Sequence, residues 1–170
     1  MTPLSSSEGA GDRTGARLLY REPPIPPGEA GEISRAVYDE LREEFLPDIL
    51  TGRHGADALF TVGTALVEGA LAACCWMGVG RKRPELGVLA GVVTLPRYRG
   101  RGLATRMVGD LCDLFDHRGG RTLFLGVSNP VARRIYEKLG FRRLTGRILA
   151  RGDSCAVPPP ESPANPCRSR

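Results

Sequence analysis

The chain has 170 residues, 41% of them hydrophobic and 25% charged, which is ordinary for a soluble globule with one full core. No apolar run is long enough to span a bilayer, and the N-terminus lacks a basic segment followed by an apolar one, so a cytoplasmic protein without a membrane partner is expected. The net charge of +5 divides unevenly: residues 1–68 carry six arginines against twelve acids, and residues 69–170 carry eighteen basic residues against seven acids.

In chain order, residues 1–15 are rich in Ser, Gly and Thr, and residues 152–170 hold five prolines, so both read as loosely attached tails around a domain over 16–151. Ala16 to Arg21 is a predicted first strand. Pro23-Pro24-Ile25-Pro26-Pro27 forces an extended turn, and a helix from Glu29 to Leu46 follows with Ile33, Val37, Leu41 and Phe45 on one stripe. Ala58 to Leu66 and Ala70 to Val79 read as two strands around a tight turn at Glu68-Gly69. After the basic loop Arg81-Lys82-Arg83-Pro84, the nearly uncharged run Leu86 to Leu95 is a fourth strand closed by Pro96, because proline donates nothing to a sheet ladder.

Leu103, Met107, Leu111 and Leu114 recur every three or four residues, the signature of a helix that ends near Arg118-Gly119-Gly120. Thr122 to Val127 is a fifth strand, Pro130 to Leu139 a short helix and Phe141 to Leu149 a sixth strand. Strands in a row, then helix and strand in alternation, describe an α/β (α+β) mixed sheet with helices on its faces.

The junction between the fourth strand and the long helix is Arg99-Gly100-Arg101-Gly102-Leu103-Ala104. Two residues without Cβ let an anion approach the amides that the first helical turn leaves unpaired, and Arg99, Arg101 and Arg106 add positive potential. It is neither a dinucleotide fingerprint, which needs Gly-x-Gly-x-x-Gly, nor a P-loop, which needs Gly-Lys-Ser or Gly-Lys-Thr.

Three pieces carry a resemblance. Val92-Val93-Thr94-Leu95-Pro96 is a strand ending in proline, and Arg99-x-x-Gly102-x-Ala104 follows it. Asn129-Pro130-Val131-Ala132 then leads to Tyr136 and Leu139-Gly140-Phe141. In this order and spacing, residues 86–146 resemble the GNAT superfamily of acyl-CoA-dependent N-acyltransferases.

The resemblance implies a sheet whose fourth and fifth strands splay apart to admit the pantetheine arm of acetyl-CoA or a related acyl-CoA, with no metal. By position, Val92, Val93 and Thr94 would offer backbone groups to that arm. Arg99 would open the pyrophosphate cradle formed by Gly100, Arg101, Gly102, Leu103, Ala104 and Thr105. Asn129 would bind the arm, although Asn before Pro at a helix start is also a good N-cap. Tyr136 would give its phenolic proton to the departing sulfur as an amine attacks the thioester directly; otherwise it is a core aromatic packed with Leu139 and Phe141.

The base that takes the amine's proton is where the pattern departs. The place where many relatives carry a Glu falls near Val88, and the nearest acid is Glu85. Three readings stay open: Glu85 after a local shift, water with backbone carbonyls, or an acid from elsewhere such as Asp57. His117 reads as a solvated helix-end residue and His54 as a loop residue. Cys74, Cys75, Cys112, Cys155 and Cys167 show no metal spacing and read as unpaired thiols. Adjacent Cys74 and Cys75 face opposite sides of a strand, so small buried side chains suit them better than a nucleophile.

The acidic first part of the chain would suit a cationic amine, or Glu40, Glu43 and Glu44 merely solvate a helix face. A small-molecule amine acceptor is expected, its pocket walled by the first helices, the second and third strands and the segment after Phe141. Nucleic acid is not an expected partner, because the arginines are dispersed and no finger or helix-turn-helix pattern occurs. The family's usual seventh strand is not visible before the Pro-rich tail: either a partner subunit, as in a homodimer, completes the sheet edge or the sixth strand stays short. The competing functional reading is a non-catalytic acyl-CoA sensor on the same fold.

Overall fold

The computed structural model describes residues 15–42, 46–53 and 57–152. Glu43, Glu44, Phe45, His54, Cys155, Cys167 and nearly all of both expected tails lie outside these residues. Among the described residues seven strands form one sheet: β1 (Ala16–Arg21), β2 (Ala58–Val67), β3 (Ala70–Gly80), β4 (Leu86–Thr94), β5 (Thr122–Gly126), β6 (Arg142–Thr145) and β7 (Ile148–Gly152). Their order is β1-β2-β3-β4-β5-β7-β6, antiparallel throughout except for the parallel β4–β5 pair. This mixed α/β sheet is the expected fold class.

Helices cover both faces. On one, α1 (Pro27–Leu41) and α2 (Leu46–Leu50) bury Ile33, Val37, Ile49 and Leu50 against Val62, Leu71, Cys74, Trp76 and Val93. On the other, α3 (Leu103–His117) buries Leu103, Met107, Leu111 and Phe115 against Ala65, Cys75, Met77, Leu89 and Leu123, with Tyr136 of α4 (Pro130–Lys138) in the same cluster. Each large apolar side chain taken fully from water contributes about 1.5–3 kcal/mol relative to exposure. Cys74 lies on the α1 face and Cys75 on the α3 face, as the two-residue strand period requires.

Two expectations need correction. The helix expected from Glu29 to Leu46 is two helices: α1 starts at Pro27, where proline is tolerated at the first position, and stops at Arg42, which adopts φ 59°. Ile33 and Val37 are buried as expected, but Leu41 is exposed. The expected single strand Phe141 to Leu149 is a hairpin, β6 and β7, turning near Gly146 at φ 45°. β7 inserts between β5 and β6, so a seventh strand lies within the chain.

The feature that positions the site is an interruption in the sheet. β4 pairs with β5 only from Leu86 to Leu89, while its pairing with β3 runs on to Thr94. Beyond Leu89, no strand among the described residues pairs with β4 on the β5 side, which leaves a backbone edge there. Where that edge begins, the β3 register slips: Cys74 opposes Val93 and Trp76 opposes Ala90, so Gly91 and Val92 together face Cys75. This is a β-bulge, with Gly91 at φ 60°.

Candidate active site

The free edge of β4 leads through the short turn Pro96–Tyr98 into the glycine loop. Gly100 and Gly102 adopt φ 75° and 76°, where a side chain costs about 1–2 kcal/mol. An added Cβ at either meets no described atom within 4 Å apart from its chain neighbours, so there is open space beside both glycines. Gly102 starts α3 without a side-chain cap, and the first helical bond is Arg106 N–H to Gly102 O at 3.1 Å. The consecutive N–H groups from Gly100 to Thr105 therefore have no backbone acceptor among the described residues. Such a row of amides at the positive end of a 15-residue helix is an arrangement that favours anions.

The side chains of this segment are occupied elsewhere. Leu103 is buried in the core and offers only its amide. Tyr98 is buried beneath the loop, with the Arg97 and Arg101 guanidinium carbons 4.6 and 5.4 Å from its ring centroid. Arg99 donates through Nη2 to Glu40 Oε2 at 2.8 Å and through Nε to Thr94 O at 3.1 Å. Neither Tyr98 nor the Glu40 partner was visible in the glycine pattern. For Tyr98 the signal was an aromatic inside the basic run 97–99; for Glu40, 59 residues from Arg99, there was none.

Across the opening, Asn129 caps α4 by accepting from Val131 N–H through Oδ1 at 2.8 Å. This is the structural one of its two expected roles, and the cap leaves its amide NH₂ uncommitted. Tyr136, two residues from the end of α4, is only 6% exposed and meets Phe141 edge-to-face at 6.0 Å. Burial, with a smaller contribution from Cys75, pushes its phenol up to about 12, so it keeps its proton at neutral pH. Cys75 lies beneath the bulge, fully buried, and burial holds its thiol well above the ordinary range. A thiol in that state is no nucleophile. Beside it, Tyr20 donates to Asp110 Oδ2 at 2.7 Å, tying β1 to α3.

The structure does not bring Glu85 to this place. It precedes β4 at the end remote from the bulge, six residues away or about 20 Å along a strand. Its carboxylate pairs with Arg83, which lowers its pKa, and its carbonyl accepts from Arg121 and Thr122 N–H at 2.9 Å. Asp57 is at the same end of the sheet, exposed and 4.0 Å from Lys82 Nζ. His117 is exposed, with Nδ1 at 2.7 Å from Asp113 O. Among the described residues no three His, Cys, Asp or Glu side chains gather to hold a metal ion.

A groove of about 640 Å³ opens on the α1 face where β4 ends. Glu32, Arg35, Ala36 and Asp39 line it from one stripe of α1, Glu68 to Leu71 from the β2–β3 turn, and Leu95 and Arg97 from the segment leaving β4. Two of the walls expected for an acceptor pocket, the first helix and the β2–β3 hairpin, thus form one cavity beside the glycine loop.

Residues 23–141 match the acetyltransferase (GNAT) family. A stretch of 74 residues is 34% identical to N-alpha-acetyltransferase 30 of Schizosaccharomyces pombe, covering 42% of this chain and 49% of that protein. The chain thus matches about half the length of this relative. The fold is similar to the ribosomal-protein-S18-alanine N-acetyltransferase of Escherichia coli, with TM-score 0.63 and 21% identity over 79% of this chain and 93% of that one. It is also similar to PaiA N-acetyltransferase of Thermoplasma acidophilum in complex with coenzyme A, with TM-score 0.58 and 16% identity over 80% and 99%. No helix among the described residues is long and apolar enough to cross a membrane.

Proposed function

The chain belongs to the acetyltransferase (GNAT) family, and on that premise we propose that it moves an acetyl group from acetyl-CoA to an amine of a small molecule by direct attack in a ternary complex. The observation that carries this reading is the continuity of two unpaired backbone surfaces. The edge of β4 from Ala90 to Val93 suits an extended arm bearing amides, and the N–H groups from Gly100 to Thr105 suit the diphosphate at its end. Coenzyme A has this sequence of groups, and the residues present fit it.

Backbone groups at the Gly91–Val92 bulge orient the thioester and stabilise the oxyanion as the C–N bond forms. Tyr136 then donates its proton to the sulfur as the C–S bond breaks, which its protonated state at neutral pH permits. With Glu85 and Asp57 at the far end of the sheet, the amine's proton leaves through water held by free carbonyls of the β4 edge. The groove, where Glu32, Asp39 and Glu68 stand against Arg35 and Arg97, keeps a small excess of negative charge that suits an acceptor with a second cationic centre.

Acetyl-CoA consumption, followed as thiol release across small amines, antibiotics and peptide N-termini, tests this. Turnover of small polycationic amines is expected. Turnover of peptide N-termini alone, the acceptor class suggested by the yeast relative's name, would overturn the acceptor assignment. The distance of both acids from the opening favours a second reading, an acyl-CoA sensor, which predicts coenzyme A binding with no amine-dependent thiol release.

A further inference from the structure

Arg99 is the first residue of the glycine loop, and its guanidinium gathers three separate pieces of the fold. Nη2 reaches Glu40 in the last turn of α1 at 2.8 Å, and Nε reaches the carbonyl of Thr94, the last residue of β4, at 3.1 Å. The donors used are thus committed to the helix and the strand rather than left for an anion held by the loop amides. We propose that Glu40 is a positioning residue for acyl-CoA: it holds Arg99 as a brace that sets the loop against β4, so that backbone amides and not the Arg99 side chain grip the diphosphate. This rests on the acyl-CoA reading above and assigns a role to a residue outside the glycine pattern.

Charge alone argues the opposite. A carboxylate near a diphosphate repels it, and removing Glu40 would also free Arg99 to bind the ligand, so a purely coulombic account has Glu40→Gln tighten binding. The brace account has the same substitution weaken it. The sign of the change separates the two. Its size is modest, because the pair is partly solvated, with 54% of the Arg99 side chain and 33% of the Glu40 side chain exposed. An interaction of that kind corresponds to about a two- to fivefold change in affinity. Asp39, the neighbour of Glu40, lines the groove, so adjacent residues of α1 serve the loop and the cavity.

The test uses the full chain with Glu40→Gln, Arg99→Gln and the double variant. In steady state, Glu40→Gln should raise KM for acetyl-CoA about two- to fivefold with kcat unchanged, and add nothing in the Arg99→Gln background. KM for acetyl-pantetheine, which lacks the diphosphate, should not move. Calorimetric titration with coenzyme A reads the same sign without any turnover. A KM or Kd that falls or stays level in Glu40→Gln overturns the brace and leaves the acyl-CoA reading standing. A wild-type chain that does not bind coenzyme A overturns both.

Discussion

At its first residues β4 is locked on both sides: Gly87 to Leu89 pair with both β3 and β5, Leu86 pairs with β5, and Glu85 just before them is tied to Arg83. At its last residues the same strand pairs on one side only, bulges at Gly91–Val92 and runs into amides that no backbone carbonyl of the described residues satisfies. The closed end carries the acid, and the open end carries unpaired main chain. Unpaired N–H groups left open to solvent can bind an anion without breaking any internal hydrogen bond, so the open end is the one suited to a ligand. Glu85 is the acid nearest the expected place at Val88, and both lie at the closed end of the strand, with Glu85 about 20 Å from the bulge.

The largest effect expected at the open end is chemical. Tyr136→Phe should lower kcat about 100-fold while leaving the Kd of coenzyme A within about twofold, because it removes a proton donor and keeps the ring against Phe141. Unchanged turnover would reduce Tyr136 to packing. The donor is the neutral phenol, so its assistance is present below its pKa and is lost as pH rises through about 12, rather than near 10 as for a solvated tyrosine. A phenol limb near pH 10 in the rate profile would contradict that burial.

Next in size is Gly102→Ala. At φ 76° it should cost about 1–2 kcal/mol of stability in a denaturant titration and, by shifting the amides, weaken coenzyme A about tenfold. On the acceptor side, Glu68→Gln or Asp39→Asn should raise KM for a cationic amine about two- to fivefold and leave KM for acetyl-CoA level. Smallest of all, Glu85→Gln should change kcat by less than about twofold; a loss comparable with Tyr136→Phe would break the distinction between the two ends. Glu85 lies at the surface, so no stability change is expected to obscure that result.

What was legible in the sequence follows the same division. Gly100 and Gly102 announce themselves because φ values near 75° restrict the residue type, and Asn129-Pro130 does so because a helix start selects it. The strands β1 to β5 were legible because their apolar runs end at breakers such as Glu68-Gly69 and Pro96. The end of α1 was not, because Arg42 takes φ 59° with no residue preference to reveal it, and the apolar stripe continues to Leu41 although that side chain is exposed. The β6–β7 hairpin was hidden because only Gly146 interrupts residues 142–149. The groove and the Glu40–Arg99 pair join segments far apart in the chain, information that a local pattern does not contain.

The most direct test of the backbone grip is a calorimetric titration of coenzyme A, and of pantetheine alone, into the full chain and its Gly102→Ala variant. The account predicts one coenzyme A per chain, about tenfold weaker binding in the variant, and pantetheine binding that does not change. Equal coenzyme A affinity in the two proteins, or no binding to either, would contradict it.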